Sequence, residues 1–338
     1  MSNIRKVASQ AQVSTATVSR VFNQPDTVSQ ETRDTVWAAA DALGYSPSKR
    51  KSRSQPPKVQ PSRLLGVILP ELVNPYFAEL LDSLEHEAFH IGRSLLVFSH
   101  RSNPVWERQF LEECVRFEVD GVFAVPSTPT VDYQKLCEGL PFPVFSLTQI
   151  RQGVPSIALD HWQGGRLAAD HLVSLGHERI GYLGPTDPGE DKFLGFQQRL
   201  FELAQSLHPS RLTTVDLEPG QEVRSCVERF LQQHDELPFT ALFVFNDLSA
   251  QLAIEVLGTH GYRVPEDLVV VGFDNTVLAK VMNFTSIAQP MRELGRQACA
   301  RMLQVIEHGN PDHMQEPLLL MPRLVVRDSA LARSDRRQ

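Results

Sequence analysis

From Leu64 onward, short apolar runs alternate with longer amphipathic stretches, and this rhythm restricts the possible folds more than any other feature of the chain. The series opens LLGVILP, PYFAELLDSLEHEAFHIG, SLLVFSH, a helical pattern near 104–117, then DGVFAVP. It returns as RIGYLGP, a helical pattern near 193–207, TALFVFN, another near 248–260, then LVVVGFD. A strand that is apolar at every position must be covered on both faces, which a parallel sheet between two helix layers provides. Two such series predict two α/β lobes, with ligand between them at the carboxyl ends of the strands.

The first residues follow a different period. Ile4, Val7, Ala8 and Ala11 share one helical face, with Ser2 or Asn3 as N-cap candidates. Ser14 can cap a second helix, TATVSRVFN, whose inward face is Val18 with Val21 or Phe22. A third is predicted behind Ser29, through Thr32, Val36, Ala39, Ala40 and Leu43, with Gly44 to end it. Three short helices, the first two joined by a tight turn, describe an all-α helix-turn-helix head.

Charge separates the same two parts. Residues 1–63 hold ten Lys and Arg against four Asp and Glu, a net +6; the remainder holds 23 against 36, a net −13, within a total of −7. A basic head on an acidic body suits a protein whose head alone meets a polyanion, although an idle basic terminus has the same composition. On the second helix, Thr15, Ala16, Thr17, Ser19 and Arg20 are small or hydrogen-bonding apart from one long cation. Small residues let such a helix enter a major groove, where Arg20 can bond a guanine at O6 and N7. Ser14 and Ser19 suit phosphate contacts. Each residue alone also fits a solvent-facing helix; the combination is more specific.

The stretch VSTATVSRVFNQPDTVSQETRDTVWAAADALGYSP resembles the DNA-binding head of the LacI/GalR family of bacterial repressors. The resemblance implies that Thr15, Ala16 and Arg20 read bases, while Ser14, Thr17, Ser19, Asn23, Ser29 and Tyr45 position the DNA backbone. Gln12 departs from it, standing in the turn where many members have glycine. IALDHWQGGRLAADHLVSLGHERIGYLGP, FVFNDLSA, VPEDLVVVGFDN and TSIAQPMRELGRQA are similar to landmarks of the family's sensor, itself similar to a periplasmic sugar-binding protein. The resemblance covers residues 2 to about 330 and implies three crossings between lobes. It divides the chain into a head (1–46), a basic linker (47–63), an effector-binding and dimerisation domain (64–330) and a tail (331–338). Lobe 1 is then about 64–158 plus 288–318, and lobe 2 about 159–287 plus 319–330, with LLLMPRLVVRD the final strand of lobe 2.

Carried over position by position, the effector cleft is implied at Tyr76, Phe77, Asp160, Lys192, Asn246 and Asp274. Their chemistry fits: the two aspartates can accept paired hydroxyl hydrogen bonds, Asn246 can donate and accept, and Phe77 offers a flat face to a sugar ring or a base. Other roles stay open. Asn246 or Asp247 can cap the next helix, Asp274 can stabilise a turn, and Tyr76 or Phe77 can pack in a core or a dimer interface. Lys192 stands where the family usually has arginine and cannot make its planar two-point clamp. Leu217 stands where nucleoside-sensing relatives tend to place a stacking aromatic. VSTATVSR, NQPDTVSQETR and TSIAQP with ELGR look closest to the cytidine repressor branch, which makes a nucleoside the leading effector and a sugar the alternative.

The linker departs furthest. Where most of the family reads roughly Pro-Asn-Ala-Leu-Ala-Arg-Ser-Leu and folds as a hinge helix on DNA, this chain has Ser48, Lys49, Arg50, Lys51, Ser52, Arg53 and Ser54 after Pro47. Its apolar wedge is replaced by Ser54, which cannot hold a base step open. A weak or absent hinge helix is predicted, with Lys49, Arg50, Lys51 and Arg53 as phosphate or minor-groove contacts; a solvated tether with no contact role is the other reading.

Other classes find little support. No apolar run approaches the ~20 residues that span a bilayer, and the N-terminus has no apolar signal region, so a cytoplasmic protein without a membrane partner is expected. Cys114, Cys137, Cys226 and Cys299 are too scattered for a disulfide framework or zinc site. GxGxxG, GxxxxGK[ST] and GxSxG are absent, and HExxH occurs once, as His86-Glu87-Ala88-Phe89-His90. The expected function is a homodimeric, effector-controlled transcriptional repressor on double-stranded operator DNA, without cofactor, metal or catalytic residues. An activator, a partner-dependent repressor, or a binding protein or enzyme that keeps the sensor architecture are the alternatives.

Overall fold

The computed structural model describes residues 4–23, 27–43, 45, 62–127, 131–206, 211–218, 220–309 and 316–331, without the side chain of Asn23. The linker cations Lys49, Arg50, Lys51 and Arg53, the cap candidates Ser2 and Asn3, Gly44, and the tail from 332 onward lie outside the described residues. The chain divides into two compact units, Met1–Pro61 and Ser62–Gln338.

The first unit holds α1 (Ile4–Gln10), α2 (Thr15–Asn23) and α3 (Gln30–Ala42). Val7, Ala8, Ala11, Val18, Val21, Val36, Ala39 and Ala40 form its core, as the helical spacing predicts, with Phe22 partly buried against it. Ser14 accepts the Thr17 amide at 3.0 Å and Ser29 the Thr32 amide at 3.4 Å, so a hydroxyl starts each of the last two helices. Gln12 turns the chain between α1 and α2 at φ 55°, a left-handed backbone that glycine adopts without cost.

The second unit begins with β1 (Leu64–Leu69), α4 (Pro75–His90), β2 (Ser94–Ser99), α5 (Pro104–Arg116), β3 (Gly121–Ala124), α6 (Tyr133–Cys137), β4 (Val144–Thr148) and β5 (Ser156–Leu159). It continues with α7 (His161–Ser174), β6 (Arg179–Gly184), α8 (Asp191–Ser206), β7 (Arg211–Asp216), α9 (Val223–Gln232), β8 (Ala241–Val244), α10 (Asp247–Thr259), β9 (Val269–Asp274), α11 (Val277–Val281) and β10 (Thr285–Ala288). It ends with α12 (Met291–His308), β11 (Leu318–Leu320) and β12 (Arg323–Val325). Two six-stranded sheets result, ordered β11-β5-β4-β3-β1-β2 and β12-β10-β9-β8-β6-β7. Each carries a core on both faces, which explains why its central strands are apolar throughout.

The expected single strand at LLLMPRLVVRD is two. β11 pairs parallel with β5 in the first sheet, and β12 pairs antiparallel with β10 in the second. Pro322 separates them: it has no amide hydrogen to donate to a ladder, so the chain leaves one sheet there and enters the other. The second sheet is therefore mixed, with an antiparallel edge strand. The chain passes between the sheets after β5, after β10 and between β11 and β12.

Glycines allow a close helix contact in the second lobe. A Cβ on Gly165 of α7 would collide with the Lys192 carbonyl of α8, and one on Gly195 of α8 with the Trp162 carbonyl of α7. That approach brings Lys192, in the first turn of α8, beside His161 at the start of α7.

Candidate functional site

On the head, Val18 and Val21 fix α2 against the core, which turns Thr15, Ala16 and Arg20 to solvent. Thr17 and Ser19 are half-buried at the flank of the same face. Ser14 is exposed before the helix, and its hydroxyl also lies 2.9 Å from that of Thr17. The exposed Ser29 caps α3, and Tyr45 donates its amide to Ala40 at 2.8 Å while its ring lies 6.0 Å from Phe22. One helix face thus presents small residues, hydroxyls and a single arginine, which a major groove can accept.

In the second unit a cavity of about 280 Å³ opens where the strand ends of the two lobes meet. Tyr76, Phe77, Lys192, Asn246 and Asp274 all line it. Asp160 does not; it caps α7, accepting the Gln163 amide at 2.8 Å, so its carboxylate is committed to a helix start. Asn246 does both jobs, lining the cavity while accepting the Ser249 amide at 2.7 Å to cap α10. Asn74 starts α4 by accepting the Tyr76 amide at 3.1 Å, which fixes Tyr76 and Phe77 on the first turn with ring centres 5.0 Å apart.

Two lining residues hold unusual backbones. Thr148, at the end of β4 in lobe 1, has φ 68°, and Asp274, at the end of β9 in lobe 2, has φ 103°. A left-handed backbone in a β-branched or charged residue is maintained only by its surroundings, and such positions gather at binding sites. Both side chains are buried, and Gln289, on the third wall, donates its amide to Asp274 at 2.5 Å.

The charge pattern follows from burial. Burial pushes the Asp274 carboxyl well above the usual carboxylate range, with the Lys192 ammonium opposing and the Asp247 carboxylate adding to the rise. Burial also pushes His161 down to about 3, aided by the Lys192 charge, so its ring is neutral. Lys192 donates to the Phe245 carbonyl at 3.0 Å and lies 4.4 Å from the centre of the Phe273 ring. Two buried atoms beside these groups, Nε2 of His161 and Oε1 of Gln289, make no hydrogen bond of good geometry, although the Gln289 side chain lies close enough to His161 to oppose the fall of its pKa.

Sequence reasoning did not single out His161, Gln289, Thr148, Glu190 or Phe245, which also line the cavity. Leu217, which stands in place of a stacking aromatic, packs in the core of lobe 2. Phe245 supplies an aromatic face from lobe 2 instead, as Phe77 does from lobe 1; its signal was its place immediately before Asn246, at a strand end. Among the described residues no group of His, Cys, Asp and Glu could hold a metal ion, and no helix is long and apolar enough to cross a membrane.

Residues 3–48 match the description "Bacterial regulatory proteins, lacI family", and residues 169–330 match "Periplasmic binding protein-like domain". The chain is 32% identical to the HTH-type transcriptional repressor PurR of Mannheimia succiniciproducens, an alignment that covers 97% of this chain and 98% of that protein. It is 33% identical to the repressor of the same name from Haemophilus influenzae, again over 97% and 98%. Among solved structures, a LacI family transcriptional regulator from Enterococcus faecium with bound ribose is 26% identical, with a TM-score of 0.69, covering 80% of this chain and 99% of that one. These names do not reach the cytidine repressor branch. Head, sensor and full-length relatives agree that the chain belongs to the lacI family of bacterial regulatory proteins, the DNA-binding regulators of transcription.

Proposed function

We propose that the cleft binds a small effector carrying one ring with hydroxyl or amino groups, a nucleoside first, and that this occupancy controls a homodimeric repressor on operator DNA. The observation that carries the proposal is the convergence of Lys192, Asn246, Asp274 and Gln289 with the Phe77 and Phe245 rings around one cavity. Asp274 and Gln289 accept hydrogen bonds from the effector, Lys192 and Asn246 donate, and Phe77 and Phe245 flank the ring. The cavity, at about 280 Å³, lies just below the range for small-ligand sites, ~300 to 1,000 Å³, which suits one ring or a nucleoside better than an oligosaccharide.

In the head, Thr15, Ala16 and Arg20 read base edges; Ser14, Thr17, Ser19, Asn23, Ser29 and Tyr45 hold the DNA backbone. Two heads occupy half-sites of a near-palindromic operator, in the cytoplasm. The exposed faces of α4 and α10 serve dimerisation, a role for which Phe89 of α4, 72% exposed, is suited. The chain acts as a regulator and not as an enzyme.

A free sugar is the second reading, favoured by the ribose in the Enterococcus faecium structure. Calorimetry of the purified chain against cytidine, adenosine, ribose and a panel of other sugars separates the two. The expected result is micromolar binding of a nucleoside; no heat with any nucleoside and micromolar binding of a sugar would replace it with the second reading.

A further inference from the structure

Asp247 is fully buried and does not line the cavity. Its Oδ2 accepts the Thr276 amide at 2.6 Å and the Thr276 hydroxyl at 3.0 Å, and its Oδ1 accepts the Ser286 hydroxyl at 2.6 Å. Ser286 in turn accepts the Asn275 amide at 3.0 Å, and Arg327 donates to the Asn275 side-chain oxygen at 2.6 Å. Every one of these bonds ends on the segment Asp274-Asn275-Thr276 or on the groups that grip it.

That segment is where the backbone is least comfortable. Asp274 has φ 103° and Asn275 φ 55°, two successive residues without the freedom of glycine. Such a pair persists only when its surroundings over-determine it. The sheet makes room for the carboxylate that does so. A Cβ on Gly272 of β9 would stand 2.6 Å from Asp247 Oδ1 and 2.8 Å from the Phe284 ring. Burial pushes the Asp247 carboxyl up to about 6, and the Ser286 and Thr276 donors oppose that rise, so the acceptor form is the one they favour.

We propose that Asp247 is the positioning residue of the cleft: through Thr276 and Ser286 it holds the strained turn that aims Asp274 into the effector site. The aiming part of the proposal rests on the reading of the cleft as an effector site; the hold on the turn does not. Without this carboxylate, the turn relaxes and Asp274 leaves the bearing its ligand needs. Effector affinity then falls although no contact residue has been changed.

The test uses the full chain carrying Asp247→Asn, which keeps the volume but replaces one accepting oxygen with a donor, and the pair Thr276→Val and Thr276→Ser. Amide hydrogen exchange reads the turn directly, and calorimetry with cytidine, adenosine and ribose reads affinity. In Asp247→Asn and Thr276→Val, exchange at residues 274–277 is expected at least tenfold faster with β6 and β8 unchanged. Whichever probe the wild type binds is expected to bind at least tenfold more weakly, and Thr276→Ser should restore both. Unchanged exchange at 274–277 in a folded variant overturns the proposal, as does faster exchange with unchanged affinity. If Asp247→Asn does not fold, the Thr276 pair decides by the same readouts. A wild type that binds none of the three probes counts against the effector reading, and exchange alone then decides whether Asp247 holds the turn.

Discussion

At the scale of single residues, the cleft is built from groups that burial has pushed from their ordinary states. His161 shows this through pH. Its folded pKa of about 3 lies below the ordinary 6.5, so between those values the unfolded chain binds the extra proton and acid lowers stability. For one proton the slope is ~1.4 kcal/mol per pH unit. Asp247, raised to about 6, works in the opposite direction below that pH, because its folded form holds the proton more tightly. The expected outcome is that His161→Gln loses less stability than the wild type on going from pH 6.5 to 4, measured by urea denaturation; equal slopes would contradict the burial of this ring. Neither group was legible in the sequence. A resemblance transfers positions such as Lys192 and Asp274, but whether His161 is neutral or Asp160 is spent on a helix cap depends on neighbours that only folding assembles. Asn246 illustrates the overlap, since capping and lining look like alternatives in the sequence and one side chain does both.

At the scale of elements, apolar runs and helix caps carried most of the reading. The strand runs at 64–69 and 269–274 are buried almost throughout, as continuous apolarity requires. Ser14 and Ser29 start their helices because a short hydroxyl can take a free amide. Pro322 marks a break in LLLMPRLVVRD, but not that its two halves join different sheets, since each carries an apolar run and partner choice is a long-range matter. The linker is an element-scale question as well. If Lys49, Arg50, Lys51 and Arg53 contact phosphates, replacing all four with serine lowers the slope of log affinity against log salt by ~0.9 for each phosphate that is no longer neutralised. Operator binding followed by fluorescence anisotropy from 50 to 200 mM salt measures that slope. An unchanged slope assigns the linker to solvent.

At the scale of the whole molecule, a DNA-reading unit and a ligand-binding unit belong to one chain, and regulation requires that the two equilibria be linked. An effector acts only through a difference in affinity between two arrangements of the lobes, and a coupling of ~1 to 3 kcal/mol alters operator affinity about 5- to 150-fold. The cleft is suited to such a difference, because Thr148 comes from one lobe, Lys192 and Asp274 from the other, and Gln289 follows a crossing between them. The most direct measurement is operator affinity of the full chain, on DNA recovered by sequencing its bound sites, with and without the nucleoside that calorimetry identifies. The expected result is a shift of at least fivefold in the wild type, abolished in Asp274→Asn while that variant's effector-free operator affinity stays unchanged. An operator affinity that ignores a bound effector, or an effector response that survives intact in Asp274→Asn, would contradict the assignment of this cleft as the controlling site.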